Sequence, residues 1–165
     1  MEAKKSNLIE VGMAEVKVGT SSDVLVTRGL GSCIGIAIYD PRKKIGALVH
    51  AMLPSIAEGK TKSNPAKYVD SAVNIMIEEL KKKGCQPREL VAKLFGGAHM
   101  FSSIPLDSPF NIGSKNIDKA KEILASHGIK IVEEDTGGNY GRTIFFDLDT
   151  GKVKVKTMFQ GEREI

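Results

Sequence analysis

The sequence predicts an α+β fold, a layered α/β/β sandwich of mostly antiparallel strands with two main helices on one side. Three observations carry this expectation. About eight short apolar runs rich in β-branched residues recur along the chain. Most are joined by connections too short for a parallel crossover. Only two stretches show helical periodicity. Two helices cannot cover both faces of so many strands, so the strands must stack on one another with the helices on one side of the stack.

Taken in order, residues 1–7 are polar and read as a frayed tail. Val11 to Val18 alternates with a phase slip, which predicts one strand with a bulge. Gly19-Thr-Ser-Ser22 reads as a turn. Strands are expected at 23–28, 32–40 and 43–53, with Asp40-Pro-Arg-Lys43 as a tight turn. Residues 54–64 form a polar connector, a solvated loop or a lid over a site. Asn64-Pro65 then reads as N-cap and first position of a helix. Tyr68, Val69, Ala72, Val73, Met76, Ile77 and Leu80 repeat at helical spacing until Gly84 ends it. Leu90 to Phe95 is a buried-looking strand, followed by a glycine-, serine- and proline-rich passage over 96–113. A second helix covers 114–127, with Ile117, Ala120, Ile123 and Leu124 inward and His127 placed to complement the helix dipole. Strands at 129–135, 141–148 and 152–159 complete the pattern.

The 165 residues suit one domain, 1–165, with 1–7 and 160–165 as flexible tails. A chain of that length buries roughly 70% of its unfolded surface and needs no metal or disulfide staple. The apolar fraction of 41% and charged fraction of 27% are ordinary for a soluble globular chain. No apolar run approaches the roughly 18 residues of a membrane span, and the N-terminus lacks a signal core, so a cytoplasmic chain is expected. Cys33 and Cys85 are expected to be free thiols. The net charge of +4 is mild, and Lys152, Lys154 and Lys156 on alternate strand positions read as a solvated face or a surface for an acidic partner. Three tyrosines, six phenylalanines and no tryptophan, without basic–aromatic interleaving, argue against nucleic acid. The glycines at 29, 31 and 35 lack dinucleotide-binding spacing. No Cys/His cluster has zinc spacing. No cofactor and no metal are expected.

The chemistry concentrates in Val24-Leu-Val-Thr-Arg-Gly-Leu-Gly-Ser-Cys-Ile-Gly-Ile-Ala-Ile-Tyr39 and the following Ile45-Gly-Ala-Leu-Val-His-Ala-Met-Leu53. If the second and third strands form a hairpin, a two-residue loop sets Cys33 opposite His50. A four-residue loop sets it opposite Met52 and diagonal to His50. Either register puts thiol and imidazole on one face, with Cβ atoms roughly 5–8 Å apart. Small residues at 35 and 37 flank the thiol there and leave room above it, while Ile34, Ile36, Ile38, Ala47, Val49 and Ala51 form a packed opposite face. An imidazole can take the thiol proton to give a thiolate–imidazolium pair. A third group must hold its tautomer, and Thr27 is the nearest candidate. Gly29, Gly31 and Ser32 form a turn whose N–H groups can face an oxyanion. Acyl transfer or amide hydrolysis is the matching chemistry. The bland alternative is a buried strand cysteine and a packed strand histidine. Cys85 reads as incidental, and His99 as a loop residue or a site lining.

These residues carry a resemblance. Thr27-x-Gly-Leu-Gly-Ser-Cys33, His50-Ala-Met-Leu-Pro54, Lys67-Tyr68, Phe95-Gly-Gly-Ala-x-Met-Phe101, Asn111-Ile-Gly-x-x-Asn116 and Asp135-Thr-Gly-Gly-x-x-Gly-Arg142 are together similar to the chemoreceptor glutamine deamidase family, CheD, over about residues 8–158. The resemblance implies hydrolysis of glutamine side-chain amides on methyl-accepting chemotaxis receptors, to glutamate and ammonia, in chemotaxis adaptation. It implies Cys33 as nucleophile, His50 as base, Thr27 as the orienter of the histidine, and an α/β/β sandwich. It adds a CheC-type phosphatase as a second partner. A monomer without membrane insertion is expected. Two other functions remain open, a non-catalytic regulator of that phosphatase and a cysteine hydrolase or transamidase of another substrate.

Overall fold

The computed structural model describes residues 7–158 and 161–165. The strands are β1 (Asn7–Glu10), β2 (Val16–Gly19), β3 (Asp23–Leu30), β4 (Ile34–Asp40), β5 (Ile45–Ala51), β6 (Val91–Gly96), β7 (Lys130–Thr136), β8 (Arg142–Asp147), β9 (Val153–Thr157) and β10 (Gly161–Glu164). The helices are α1 (Val69–Lys82) and α2 (Ile112–Ser126). They form three layers. An outer sheet has the order β1-β3-β8-β9-β10 and a central sheet the order β2-β5-β4-β6-β7. Both helices pack on the free side of the central sheet, as the strand-to-helix ratio demanded. Pairing is antiparallel except for β1 with β3 and β6 with β7.

Alternation along β4 and β5 builds both interfaces. Ile34, Ile36, Ile38, Ala47, Val49 and Ala51 meet Val73, Met76 and Leu80 of α1 and Ala120 and Leu124 of α2. The intervening Ala37 and Leu48 join Phe95 against Leu25, Ile144, Phe146 and Val155 of the outer sheet. A buried lysine also crosses this second interface. Lys93 Nζ of β6 donates to the carbonyls of Gly151 (2.8 Å) and Ile165 (3.0 Å) on the outer-sheet side. Burial lowers its pKa.

Several expectations are corrected. Of the predicted bulged strand over 11–18 only 16–18 are strand, in β2, and 11–15 link it to β1, which lies in the other sheet. Between them Ala14 takes a left-handed φ of 58° and the chain crosses from the outer to the central sheet. Val11 and Met13 in the link imitate strand alternation, so periodicity could not register it. Of the predicted tails, residues 1–6 and 160 lie outside the described residues, Asn7 opens β1, and Gly161–Glu164 pairs with β9 as β10. Its Glu162 and Glu164 face Lys154, Lys156 and Lys152, so the lysine stripe is met within the sheet. Asn64 caps a short 3-10 turn, Pro65–Lys67, and not α1, which begins at Val69 without a side-chain cap. α2 starts two residues earlier than expected because Asn111 accepts from Ser114 N. His127 at its far end joins Asn74 of α1 (2.8 Å) as well as closing the helix. Cys33 and Cys85 are free. Among the described residues no helix is long and apolar enough to cross a membrane.

The start of α2 lies against the 97–98 backbone so closely that a Cβ on Gly113 would fall 2.6 Å from the Gly97 carbonyl oxygen and nearer still to that of Ala98. Glycine to alanine ordinarily stabilises a helix. Here the expected sign is reversed. Gly113→Ala should lose about 1–3 kcal/mol in urea unfolding, the scale of overpacking against rigid neighbours. A variant at or above wild-type stability would contradict the close approach.

Candidate active site

The β4–β5 hairpin adopts the longer of the two registers considered. Asp40 pairs with Ile45 and Gly35 with His50. The loop is therefore 41–44, stabilised by Asp40 Oδ1 accepting from Arg42 N and Lys43 N, with Lys44 at a φ of 57°. Cys33, one residue before β4, shares the face of His50 one pairing step away. The space expected above that face is not open. It looks onto the outer sheet, and a Cβ at Gly35 would meet Leu30 and Ile144 at 3.0 and 3.1 Å. The thiol itself is half-buried at the rim.

His50 is 1% exposed and held from three directions. Its carbonyl accepts from Ala14 N at 2.8 Å and its N–H donates to the Glu15 carbonyl at 3.4 Å. Its ring Nδ1 lies 2.8 Å from Thr27 Oγ1. Thr27 belongs to the other sheet, so this bond spans the sandwich. Thr27 Oγ1 also lies 2.7 Å from the Val11 carbonyl. A carbonyl only accepts, so the hydroxyl proton points to Val11 and the hydroxyl can offer His50 only a lone pair. Nδ1 therefore carries the ring proton, and Nε2 has a bare lone pair. Nε2 is buried and has no hydrogen-bond partner among the described residues. The network thus assigns the tautomer that a general base needs.

Burial lowers the His50 pKa. It raises that of the Cys33 thiol, with the N–H of the cysteine's own backbone pulling partly back. Both shifts favour a neutral thiol beside a neutral imidazole. Desolvation thus works against the charges of a thiolate–imidazolium pair.

The turn before Cys33 is stacked on two other glycine loops. Gly29 takes a φ of 70° where the β3–β8 register shifts. The carbonyls of Gly31, Ser32 and Cys33 accept from Ala98 N (2.9 Å), Asn116 Nδ2 (2.9 Å) and Gly97 N (2.9 Å). A Cβ on Gly96 would fall 2.6 Å from the Cys33 oxygen, so only glycine permits this approach. Behind it, Gly137 N donates to Gly96 O and His99 N to Gly138 O. That third loop is fixed by buried Arg142, whose guanidinium pairs with Asp135 (3.1 Å) and covers the Tyr140 ring. His99 joins through its backbone and lines a small cavity with Ser32 and Phe110. On the other side of the site, Met52 N and Leu53 N donate to the Lys67 carbonyl, and Tyr68 Oη donates to Thr61 O, which ties the 54–64 connector down.

Thr27, Cys33, His50 and the Gly29–Gly31–Ser32 turn are thus brought together. Sequence reasoning assigned no role to the Val11 carbonyl or to the Asn116 amide. Asn116 did carry a signal, since it is a polar residue in the Ile117–Ala120–Leu124 apolar stripe of α2. Among the described residues no cluster of His, Cys, Asp and Glu is arranged to hold a metal.

Two measurements follow from the electrostatics. A histidine with a depressed folded pKa stabilises above its unfolded value of about 6.5 and loses that contribution as pH falls toward the folded value. Stability should therefore drop between neutral pH and pH 5, and His50→Gln should flatten that part of the urea-unfolding profile. An unchanged slope would refute a buried neutral imidazole. Iodoacetamide should label Cys33 slowly at neutral pH, with a midpoint above the ordinary thiol value of about 8.5. Fast pH-independent labelling would establish a resting thiolate instead.

The family model for CheD, chemotactic sensory transduction, matches residues 52–157. A Syntrophomonas wolfei protein is 49% identical over 97% of this chain and 99% of its own length. A Caldanaerobacter subterraneus protein is 48% identical over 98% and 99%, and one from Thermococcus kodakarensis 44% identical over 93% and 95%. Each is named probable chemoreceptor glutamine deamidase CheD. A hypothetical protein of Bacillus licheniformis, YfiH, superposes with a TM-score of 0.44 at 12% identity, over 81% of this chain and 61% of that one. With relatives of this identity aligned along almost its whole length, and a Cys–His–Thr site built from its glycine loops, the chain belongs to the CheD family.

Proposed function

We propose that the chain is a protein-glutamine deamidase acting on chemoreceptors in chemotaxis adaptation, with Cys33 as nucleophile, His50 as base and Thr27 as the residue that orients the histidine. The observation that best supports this is the Val11–Thr27–His50 relay, which leaves a bare, buried Nε2 on the face that carries the thiol. The names of the relatives supply the substrate class.

In this reading Cys33 Sγ attacks the glutamine carboxamide carbon while its proton passes to Nε2, so no buried ion pair has to exist beforehand. The carbonyl π pair moves onto oxygen, where N–H groups of the turn shaped by Gly29, Gly31 and Ser32 receive it. Collapse breaks the C–N bond, and ammonia leaves with the proton from Nε2. Water then attacks the thioester, giving a proton to Nε2. The C–S bond breaks, glutamate is released and the thiol is restored. Thr27 accepts from Nδ1–H throughout and keeps the ring from turning. The proposal includes a monomer in the cytoplasm, and the family resemblance adds a CheC-type phosphatase as second partner.

Peptide-resolved mass spectrometry of a chemoreceptor cytoplasmic fragment tests it, together with ammonia release. Wild type should convert selected glutamines to glutamate without cutting the chain, and Cys33→Ala and His50→Ala should not. The isosteric Thr27→Val should lower kcat by about 10–100-fold, as removal of a ring-orienting partner does, and Thr27→Ser should retain most of it. No conversion of any receptor, with tight binding of a CheC-type phosphatase, would replace the deamidase by a regulator. Chain cleavage, or incorporation of an added amine, would replace it by a hydrolase or transamidase of other substrates.

A further inference from the structure

We propose that Asn116 is a positioning residue of the reaction, one that aims the backbone N–H of Cys33 at the oxyanion by holding the carbonyl of Ser32. The inference rests on the deamidase reading and deepens it. Asn116 is 0% exposed, although it sits in the inward stripe of α2 with Gly113, Ala120 and Leu124. Its amide donates twice, to Ser32 O at 2.9 Å and to Met52 O at 3.1 Å. Both acceptors matter. Ser32 precedes the nucleophile and Met52 lies two residues beyond the base, so one side chain ties the two halves of the Cys–His pair to the helix layer.

The steering follows from peptide geometry. The bond between Ser32 and Cys33 is trans, so the Ser32 carbonyl and the Cys33 N–H point in opposite directions along one rigid plane. Fixing the carbonyl on Asn116 turns the N–H away from α2. The same N–H acts on the Cys33 thiol, so it lies beside the sulfur. An N–H beside the attacking sulfur is where the oxygen of a tetrahedral adduct develops. Flanking peptides are fixed in the same manner, with Gly31 O on Ala98 N and Cys33 O on Gly97 N, but those donors are backbone. Asn116 is the side-chain member of the set. Its Oδ1 is buried without a partner among the described residues. A buried amide oxygen without a partner is costly, and the two bonds made by the amide nitrogen are what offset it.

The test separates aiming from folding. Alkylation by iodoacetamide consumes the thiolate and develops no oxyanion, whereas deamidation needs both. Asn116→Ala should lower kcat for receptor deamidation by about 10²-fold, the scale of one lost oxyanion donor, with KM near wild type and a far smaller fall in the alkylation rate of Cys33. Asn116→Asp keeps the shape, and its carboxyl donates only when protonated. Its kcat should therefore show a new limb that falls as pH rises, absent from wild type. Unchanged kcat in both variants would overturn the inference. So would a parallel fall of kcat and alkylation, or failure of both variants to fold, because Asn116 would then support the architecture and not the donor. A wild type that alkylates at Cys33 and releases no ammonia overturns the deamidase reading itself, and this inference with it.

Discussion

The Thr27–His50 hydrogen bond is the interaction on which the rest of the site depends. It joins residues of two different sheets, so it forms only when the sandwich has closed in the correct alignment. Its direction is set one step further out, by a backbone carbonyl at Val11 that takes the only proton Thr27 has to give. The segment that supplies this carbonyl also grips His50 through Ala14 and Glu15 on its way from one sheet to the other. The crossing between β1 and β2 is therefore as much a part of the imidazole's environment as its own strand.

Burial works against charge on both groups. A Cys–His pair at a surface can rest as thiolate and imidazolium, since water supports both charges. Here the ring lies between two sheets and the thiol is half-covered, so each group is biased toward its neutral form. The relay compensates by settling the tautomer in advance. In the proposed reaction, reactivity arises from a proton that moves when the substrate carbonyl arrives.

Much of this was legible in the residues. The alternation through β4 and β5 gave both packed faces, and the parity of the hairpin loop placed Cys33 and His50 on one side whichever even loop length applied. The helix of Tyr68 to Leu80 followed from spacing alone. What was not legible is instructive. β1 was missed, and Val11 and Met13 in the link to β2 imitate the alternation of a strand although neither belongs to one. β10, Gly-Glu-Arg-Glu, is wholly polar because it is an edge strand whose charges answer the lysines of β9. The glycine pairs at 96–97 and 137–138 were individually unremarkable, because the reason for them is the close stacking of three loops distant in sequence. Asn116 was visible as an anomaly, a polar residue in an apolar stripe, but its purpose depended on knowing what lay opposite.

Lys93 gives this arrangement its other anchor. Aliphatic layers cohere strongly yet have little directional preference, so one sheet could slide over the other by a fraction of a residue at small cost. The Lys93 ammonium, held by two carbonyls across the interface, and the Thr27–His50 bond, across the same interface, cannot tolerate such a slide. Together they act as two dowels through a greasy laminate. The oil supplies the cohesion and the dowels supply the alignment, and one of the two dowels is the proposed base itself.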